Sequence, residues 1–364
     1  MIMEIKEYKC PNCGGTVKFD SSSQNLKCPF CDTEFAITAL EDYQKELATA
    51  AKDSFGWEAE KAGKDWDAGE LDELAQGSCP SCGAELLGDK NTVAMVCPCC
   101  GNAQIVQRRL TGVLKPDYVI PFKLEKKIAV EALKNFYQGK RLLPDLFKDE
   151  NRVNSIQGLY VPFWLFDARA QGRIRYRASR IKIWSDSNYN YTKTDYYSVV
   201  REGIMDFAKV PVDGSEKMDD SYMDALEPFN YAMLKDFQSG FLAGYIAEKY
   251  DVDAEKSRER AGRRVKASLE EEFARSVTGY SSVRPESSVV NIEGGKVSYS
   301  MLPVWILNTK YRKENYQFIM NGESGRLVGR LPADPAKVWK YMLMITGIIG
   351  AAATIIIQLL RIFM

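Results

Sequence analysis

Four cysteine pairs constrain this chain more than any other feature. Cys10/Cys13, Cys28/Cys31, Cys79/Cys82 and Cys97/Cys100 are each C-x2-C, and within each half 14 residues separate the two pairs. A thiolate pair on a tight turn supplies half of a tetrahedral metal shell, and a second pair a hairpin away closes it. The chain has nine cysteines and no histidine. Eight cysteines therefore resolve into two all-thiolate sites, and Cys99 is left over. Zinc is the default occupant of such closed, structural sites. Iron in a rubredoxin-like site uses the same ligands, and spacing does not separate the two. Cys99 reads as an accidental thiol, with a spare ligand or a redox handle as the alternatives.

Each ribbon is too short to hold a core of its own, so the metals act as folding staples. The spacing predicts zinc ribbons at 1–38 and 76–112, joined by an acidic, helix-compatible linker at 39–75. Residues 41–75 carry eleven acids against four lysines, a net of −7. The ribbons are close to neutral. Residues 1–40 set four lysines against five acids, and residues 76–112 set three cations against two acids. Non-specific nucleic-acid binding needs several uncompensated cations, so this composition argues against it. The basic cluster Lys256, Arg258, Arg260, Arg263, Arg264 and Lys266 is interleaved with glutamates and reads as a solvated helix face, the alternative being a cytoplasmic helix facing anionic lipid. No G-x-x-x-x-G-K-[ST] occurs, which removes a P-loop motor. Without histidine, and with no paired acid and base in view, no catalytic residue is assigned and the chain reads as a non-enzyme. Trp57 and Trp66 read as docking anchors or as residues packed under the ribbons.

Residues 113–333 read as an α+β domain with antiparallel sheets. A helix is expected over 124–138, breaking at Gly139. Strands are expected at 159–166, 170–184, 189–200 and 203–211, then helices at 217–225, 231–248 and 253–277. Further strands follow at 288–293, 296–310, 313–320 and 325–330, with Asn321-Gly322 as a type I′ turn signal. The segment Tyr160-Val-Pro162-Phe-Trp164-Leu is echoed by Met301-Leu-Pro303-Val-Trp305-Ile, which suggests two related halves. A proline in each strand argues for an edge or a bulge. The run Trp184-Ser-Asp-Ser-Asn-Tyr189-Asn-Tyr191 reads as a solvent-facing hairpin with aromatic cross-strand pairs, the alternative being a ligand groove.

Val338 to Leu360 is apolar apart from Lys340, near its start, and the mildly polar Thr346, Thr354 and Gln358, with no polar stripe at helical period. About 20 helical residues span a ~30 Å hydrocarbon core, so 338–362 is expected to cross a membrane. Arg326, Arg330, Lys337 and Lys340 precede the span and only Arg361 follows, which places the N-terminal part in the cytoplasm. Gly347/Ala351 and Gly350/Thr354 are small-xxx-small pairs that could pack two spans together as a homo-oligomer. No secretory signal opens the chain, so paired thiols in a reducing compartment read as metal ligands.

Across nearly its whole length the chain resembles the bacterial family of TFIIB-type zinc-ribbon-containing proteins. The resemblance rests on the CPxC pairs, Lys115-Pro-Asp-Tyr-Val-Ile-Pro-Phe-Lys123, Gly139-Lys-Arg-Leu-Leu-Pro144, Tyr160-Val-Pro-Phe-Trp-Leu-Phe-Asp167, Pro211-Val-Asp-Gly214, Leu302-Pro-Val-Trp305 and the terminal span. It implies zinc at the eight cysteines, a single-pass anchor in the bacterial cell membrane, and an accessory role beside an SPFH (flotillin-like) membrane protein. The expectation is a membrane-anchored scaffold or adaptor with a cytoplasmic protein-binding surface. The alternatives are a membrane-tethered nucleic-acid-binding factor and, more distantly, an enzyme acting near 184–197.

Overall fold

The computed structural model describes residues 8–48, 52–58, 62–66, 74–89, 96–102, 105–108, 113–149 and 153–363. Much of the acidic linker (residues 49–51, 59–61 and 67–73) lies outside these, as do Lys90 and Arg109. In chain order the elements are β1 (Lys18–Asp20), β2 (Asn25–Lys27), β3 (Glu34–Phe35), α1 (Ile37–Ala48), β4 (Ser54–Glu58), β5 (Leu74–Ser78), β6 (Glu85–Asp89), β7 (Val106–Arg108) and β8 (Tyr118–Val119). Then come α2 (Lys126–Tyr137), β9 (Gln157–Ser185), β10 (Asn190–Asp213), α3 (Asp220–Ala225), β11 (Lys235–Asp236), β12 (Ile246–Glu248), α4 (Ala254–Arg275), β13 (Ser282–Tyr311), β14 (Glu314–Asn321), β15 (Leu327–Gly329) and α5 (Pro335–Phe363). The architecture is mixed α+β. The chain divides into two compact units, 1–55 with 170–205 and 266–292, and 56–169 with 206–265 and 293–364.

In the first unit, β1, β2 and β3 form a small antiparallel sheet, with Phe19 opposite Leu26 and Leu26 opposite Phe35. Among the described residues its core is Cys10, Val17, Leu26, Cys28 and Leu40, flanked by Tyr8, Phe35 and Tyr43. A core of this size is too small to offset the entropy of ordering the segment by itself, so a metal at the clustered thiols would supply the missing stabilisation. The rest of this unit is built on the long β9 and β10. Gly172 and Gly203 lie under α4, where a Cβ on Gly172 would collide with Leu269 and one on Gly203 would meet Phe273 at 3.3 Å. Absent side chains let the helix seat on the strands. Arg177 donates to Glu286 at 2.8 Å and to the Asn12 carbonyl at 3.3 Å.

The Trp184 run is an exposed hairpin, as expected. Trp184 and Tyr191 stack at 5.5 Å between centroids. Asp186 accepts from the amides of Asn188 and Tyr189 and from the Tyr191 hydroxyl, each at 2.8 Å. The Asn188 amide first, then the Tyr191 hydroxyl, hold this carboxyl below its ordinary range. It is occupied as a turn former.

In the second unit the strand order is β11-β8-β13-β9-β12-β6-β5-β7, with β14 on β13 and β15 on β14. Two parallel pairings anchor it, Leu159 with Ile246 and Ser300 with Tyr118. Just beyond each short strand a helix begins, and the indole of the long strand caps the approach. Trp164 Nε1 donates to the Val252 carbonyl at 2.8 Å, two residues before α4. Trp305 Nε1 donates to the Leu124 carbonyl at 3.1 Å, two residues before α2. The Pro162 carbonyl accepts from Gly214 and the Pro303 carbonyl from Gly322, both at 2.8 Å. The prolines are not on edge strands, since β9 and β13 are interior to the order. The α2 positions Ala129, Leu133 and Tyr137 share one face and pack against Phe147, Trp305 and Phe318. Trp57 is buried edge-on to Phe166 at 4.9 Å, and Trp66 donates to the Val113 carbonyl at 3.0 Å.

Four further expectations need correction. Among the described residues, the linker expected to be helical over 39–75 is helical only as far as Ala48 and carries the strand β4 at Ser54–Glu58. The helix expected over 231–248 is instead two short 3-10 turns flanking β11, followed by β12. Gly240 and Gly244 (φ +79°) disfavour a continuous helix, and sheet pairing by β11 and β12 satisfies the backbone instead. Asn321-Gly322 is not a two-residue turn. The buried Asn321 carboxamide oxygen accepts from the amides of Glu323 at 2.9 Å and Ser324 at 3.0 Å, and Gly325 (φ +79°) takes the left-handed position. The tight turn is at Arg312-Lys313, both at positive φ (49° and 68°), between the paired Tyr311 and Glu314. Finally, the basic α4 cluster is not simply a solvated face. Arg260 meets Asp213 at 2.6 Å and Asp220 and Asp224 at 2.8 Å, while Arg264 meets Asp224 at 3.0 Å and Glu227 at 2.6 Å.

Candidate metal centres

The four C-x2-C knuckles fold alike because each closes the same pair of backbone bonds. The first cysteine's carbonyl accepts from the residue four on (Gly14, Asp32, Gly83, Gly101), at 2.9 Å in every case. The first cysteine's amide donates to the carbonyl five on (Gly15, Thr33, Ala84, Asn102), at 2.7 to 2.9 Å. The position after the second cysteine must be left-handed, with φ of 77°, 55°, 74° and 73°. Glycine takes that conformation without strain in three knuckles, and Asp32 takes it in the fourth, one of the few side chains that tolerate it.

The knuckles bring the thiols together as the spacing predicts. Cys10, Cys13, Cys28 and Cys31 form one group and Cys79, Cys82, Cys97 and Cys100 another, with the four sulfurs of each within 4.8 Å of one another. The sulfur pairs Cys10/Cys31, Cys13/Cys28, Cys79/Cys100 and Cys82/Cys97 are 3.6, 3.4, 3.6 and 3.7 Å apart. These are not disulfides, whose sulfurs lie at ~2.0 Å. A tetrahedron with metal–sulfur bonds of ~2.3 Å has edges of ~3.8 Å, so the four-sulfur groups fit an ion at their centres. The donor set is closed, with no position left for substrate.

The two centres differ in surroundings. Centre one sits in its small sheet, with Cys10 and Cys28 buried and Cys13 and Cys31 exposed. Burial pushes the Cys10 thiol up to about 12, while the Thr33 hydroxyl, 3.3 Å away, draws Cys31 down to about 6. Centre two is built into the core of the second unit. Cys79 and Cys97 pack with Leu86, Ile120, Leu159 and Val161, and β6 pairs with β12 through Leu86 opposite Glu248. Burial raises Cys82, and the Cys99 thiol holds Cys97 down to about 5.

Cys99 is outside the four-sulfur group. Its thiol donates to Glu248 Oε1 at 3.7 Å, and the Ser215 hydroxyl donates to the same oxygen at 2.8 Å. Glu248 is 1% exposed, and desolvation pushes its carboxyl up to about 8. Its Oε2 is buried with no hydrogen-bond partner. The sequence reading missed this carboxylate, because nothing local marks it. Only the β12–β6 pairing carries it beneath the second centre.

Among the described residues one helix, spanning Pro335–Arg361, is long and apolar enough to cross a membrane, and its apolar stretch is unburied.

No family profile matches the chain, and no solved structure does. The chain is 34% identical over 343 residues to a Bacillus subtilis (strain 168) protein bearing the name "Uncharacterized protein YdjG", spanning 94% of this chain and 95% of that one. Similarity at this level over almost the full length of both places the chain in the family of the Bacillus subtilis YdjG protein.

Proposed function

We propose that this protein is a membrane-anchored scaffold whose two zinc ribbons hold a cytoplasmic protein-binding surface in shape. The observation that carries the reading is the pair of closed four-thiolate groups, which leave no open coordination position for chemistry. Zinc at both centres suits structural sites of this donor set. The apolar α5 supplies a single-pass anchor in the bacterial cell membrane, with the cations before it keeping the N-terminal domains in the cytoplasm. An SPFH (flotillin-like) protein is the proposed partner.

Electrostatics support a protein partner over nucleic acid. Arg260 and Arg264 spend their charge on Asp213, Asp220, Asp224 and Glu227, Arg258 pairs with Glu255 and Arg263 with Glu259. Counterion release would have to be driven by cations already compensated. The reading is non-catalytic: Asp186 is held in its turn and Asp213 is bound to Arg260.

The second unit reads as a duplication in which the strand–helix pieces are exchanged. The piece preceding β9 (β8 and α2) serves Trp305 of β13, and the piece preceding β13 (β12 and α4) serves Trp164 of β9. Matching proline, glycine and tryptophan contacts support this.

Affinity purification of the full chain from crosslinked membranes tests the function. The expected result is a membrane protein of the SPFH class recovered in stoichiometric amounts. Recovery of DNA or RNA in its place would contradict the reading.

A further inference from the structure

The part of β10 within the first unit, residues 190–205, is a long sheet edge. Among the described residues β10 pairs only with β9. Neither a proline nor a positive-φ residue interrupts the edge before Lys209 (φ 56°) and Pro211. At ~3.3 Å per residue that is an edge of about 50 Å. Edges of this kind present unpaired amides and carbonyls to any strand that can align with them. Here Tyr196, Tyr197, Val200 and Ile204 are exposed as well.

We infer that this edge is occupied by a second copy of the chain, β10 pairing antiparallel with its twin about a two-fold axis through Ser198. A two-fold axis normal to the sheet keeps each face on its own side. Only registers that pair odd positions with odd and even with even are then allowed. Centred on Ser198, Asp195 of each copy, which pairs with Lys193 of its own chain at 3.1 Å, faces Arg201 of the other, which donates to Ser276 of its own chain at 2.9 Å, so the two opposite-charge pairs would extend existing contacts. Tyr196 then faces Val200 and Tyr197 faces Val199, so aromatic and β-branched side chains pair on both faces. Lys193 faces Gly203, where Phe273 of α4 already covers the glycine and Lys193 must extend along the edge. Moving the centre one residue back sets Lys193 against Arg201, a like-charge clash. Moving it one residue forward sets Tyr196 against Glu202 and leaves Asp195 facing Gly203. The charge pattern selects one register, and a self-complementary one. This surface rests neither on the metals nor on the recruited partner.

Full-length, metal-loaded protein in detergent micelles is tested as Ser198→Cys, Tyr196→Cys and Val200→Cys under mild oxidation with dithiodipyridine, corrected for wild-type background. Directly opposed residues lie ~4.5–5.5 Å apart at Cα, within disulfide reach. Tyr196→Cys and Val200→Cys lie about 13 Å from their own twins, out of reach. Ser198→Cys alone is expected to give mostly crosslinked dimer, at least about tenfold above either single control. A mixture of the other two is expected to crosslink as the heterodimer. On the Ser198→Cys background, Arg201→Asp is expected to lower the yield about tenfold, and adding Asp195→Arg to the same chain to restore it. A Ser198→Cys yield no higher than the controls, equal crosslinking at all three positions, or failure of the charge swap to restore pairing would each overturn the proposal.

Discussion

Glu248 shows how a single buried atom can set a pH dependence. Its folded pKa of about 8 lies above the ~4.3 of an unfolded glutamate, so the folded state binds the extra proton between these values. Stability is therefore full below the unfolded pKa and declines as pH rises towards 8, by about 5 kcal/mol in the limit. Glu248→Gln keeps acceptors for Ser215 and Cys99 without the charge. It is expected to match the wild type near pH 5 and to melt well above it at pH 9, read by thermal denaturation at both pH values. Equal melting shifts at both would contradict the assignment. Arg260 makes the opposite case. Asp213 is 3% exposed, and removing its cation leaves a buried carboxylate uncompensated. Arg260→Met is expected to cost about 3 kcal/mol, and adding Asp213→Asn to recover much of it, measured by denaturant midpoints. The two groups of four clustered cysteines are legible because C-x2-C spacing is local chemistry. Glu248 and Asp213 are not, since their burial depends on strands and helices distant in sequence.

Among the elements, legibility followed period and length. α2 and α4 were read within a residue or two of their ends because their apolar positions recur at helical spacing. The segment 231–248 misled because it is apolar enough for a helix, yet its glycines and its sheet partners favour short strands. The β13–β14 turn escaped notice because Arg312 and Lys313 are not turn formers. The long register from Val304 opposite Asn321 to Tyr311 opposite Glu314 holds them at positive φ. Gly172 carried no signal either, although α4 depends on it. Gly172→Val is expected to destabilise by about 1–3 kcal/mol through the clash with Leu269, and Leu269→Ala in the same chain to relieve part of that. Additive losses in a double-mutant cycle would argue against the contact.

For the whole molecule, the proposed function makes α5 an anchor and the two four-cysteine groups metal staples. Deleting 335–363 is expected to move the protein from the membrane to the soluble fraction with both metals retained, checked by fractionation. Acid is expected to release the metals, because protons compete for the thiolates, and release should come with loss of tertiary structure. Centre two shares its core with Leu86, Leu159 and Val161, so losing its ion should unfold more of the chain than losing that of centre one. The most direct test of the central claim is elemental analysis combined with native mass spectrometry of the purified full-length protein. The account predicts two zinc ions per chain, one lost when Cys13 is replaced by Ser and one when Cys82 is. Less than one zinc per chain, or iron in its place, would contradict it.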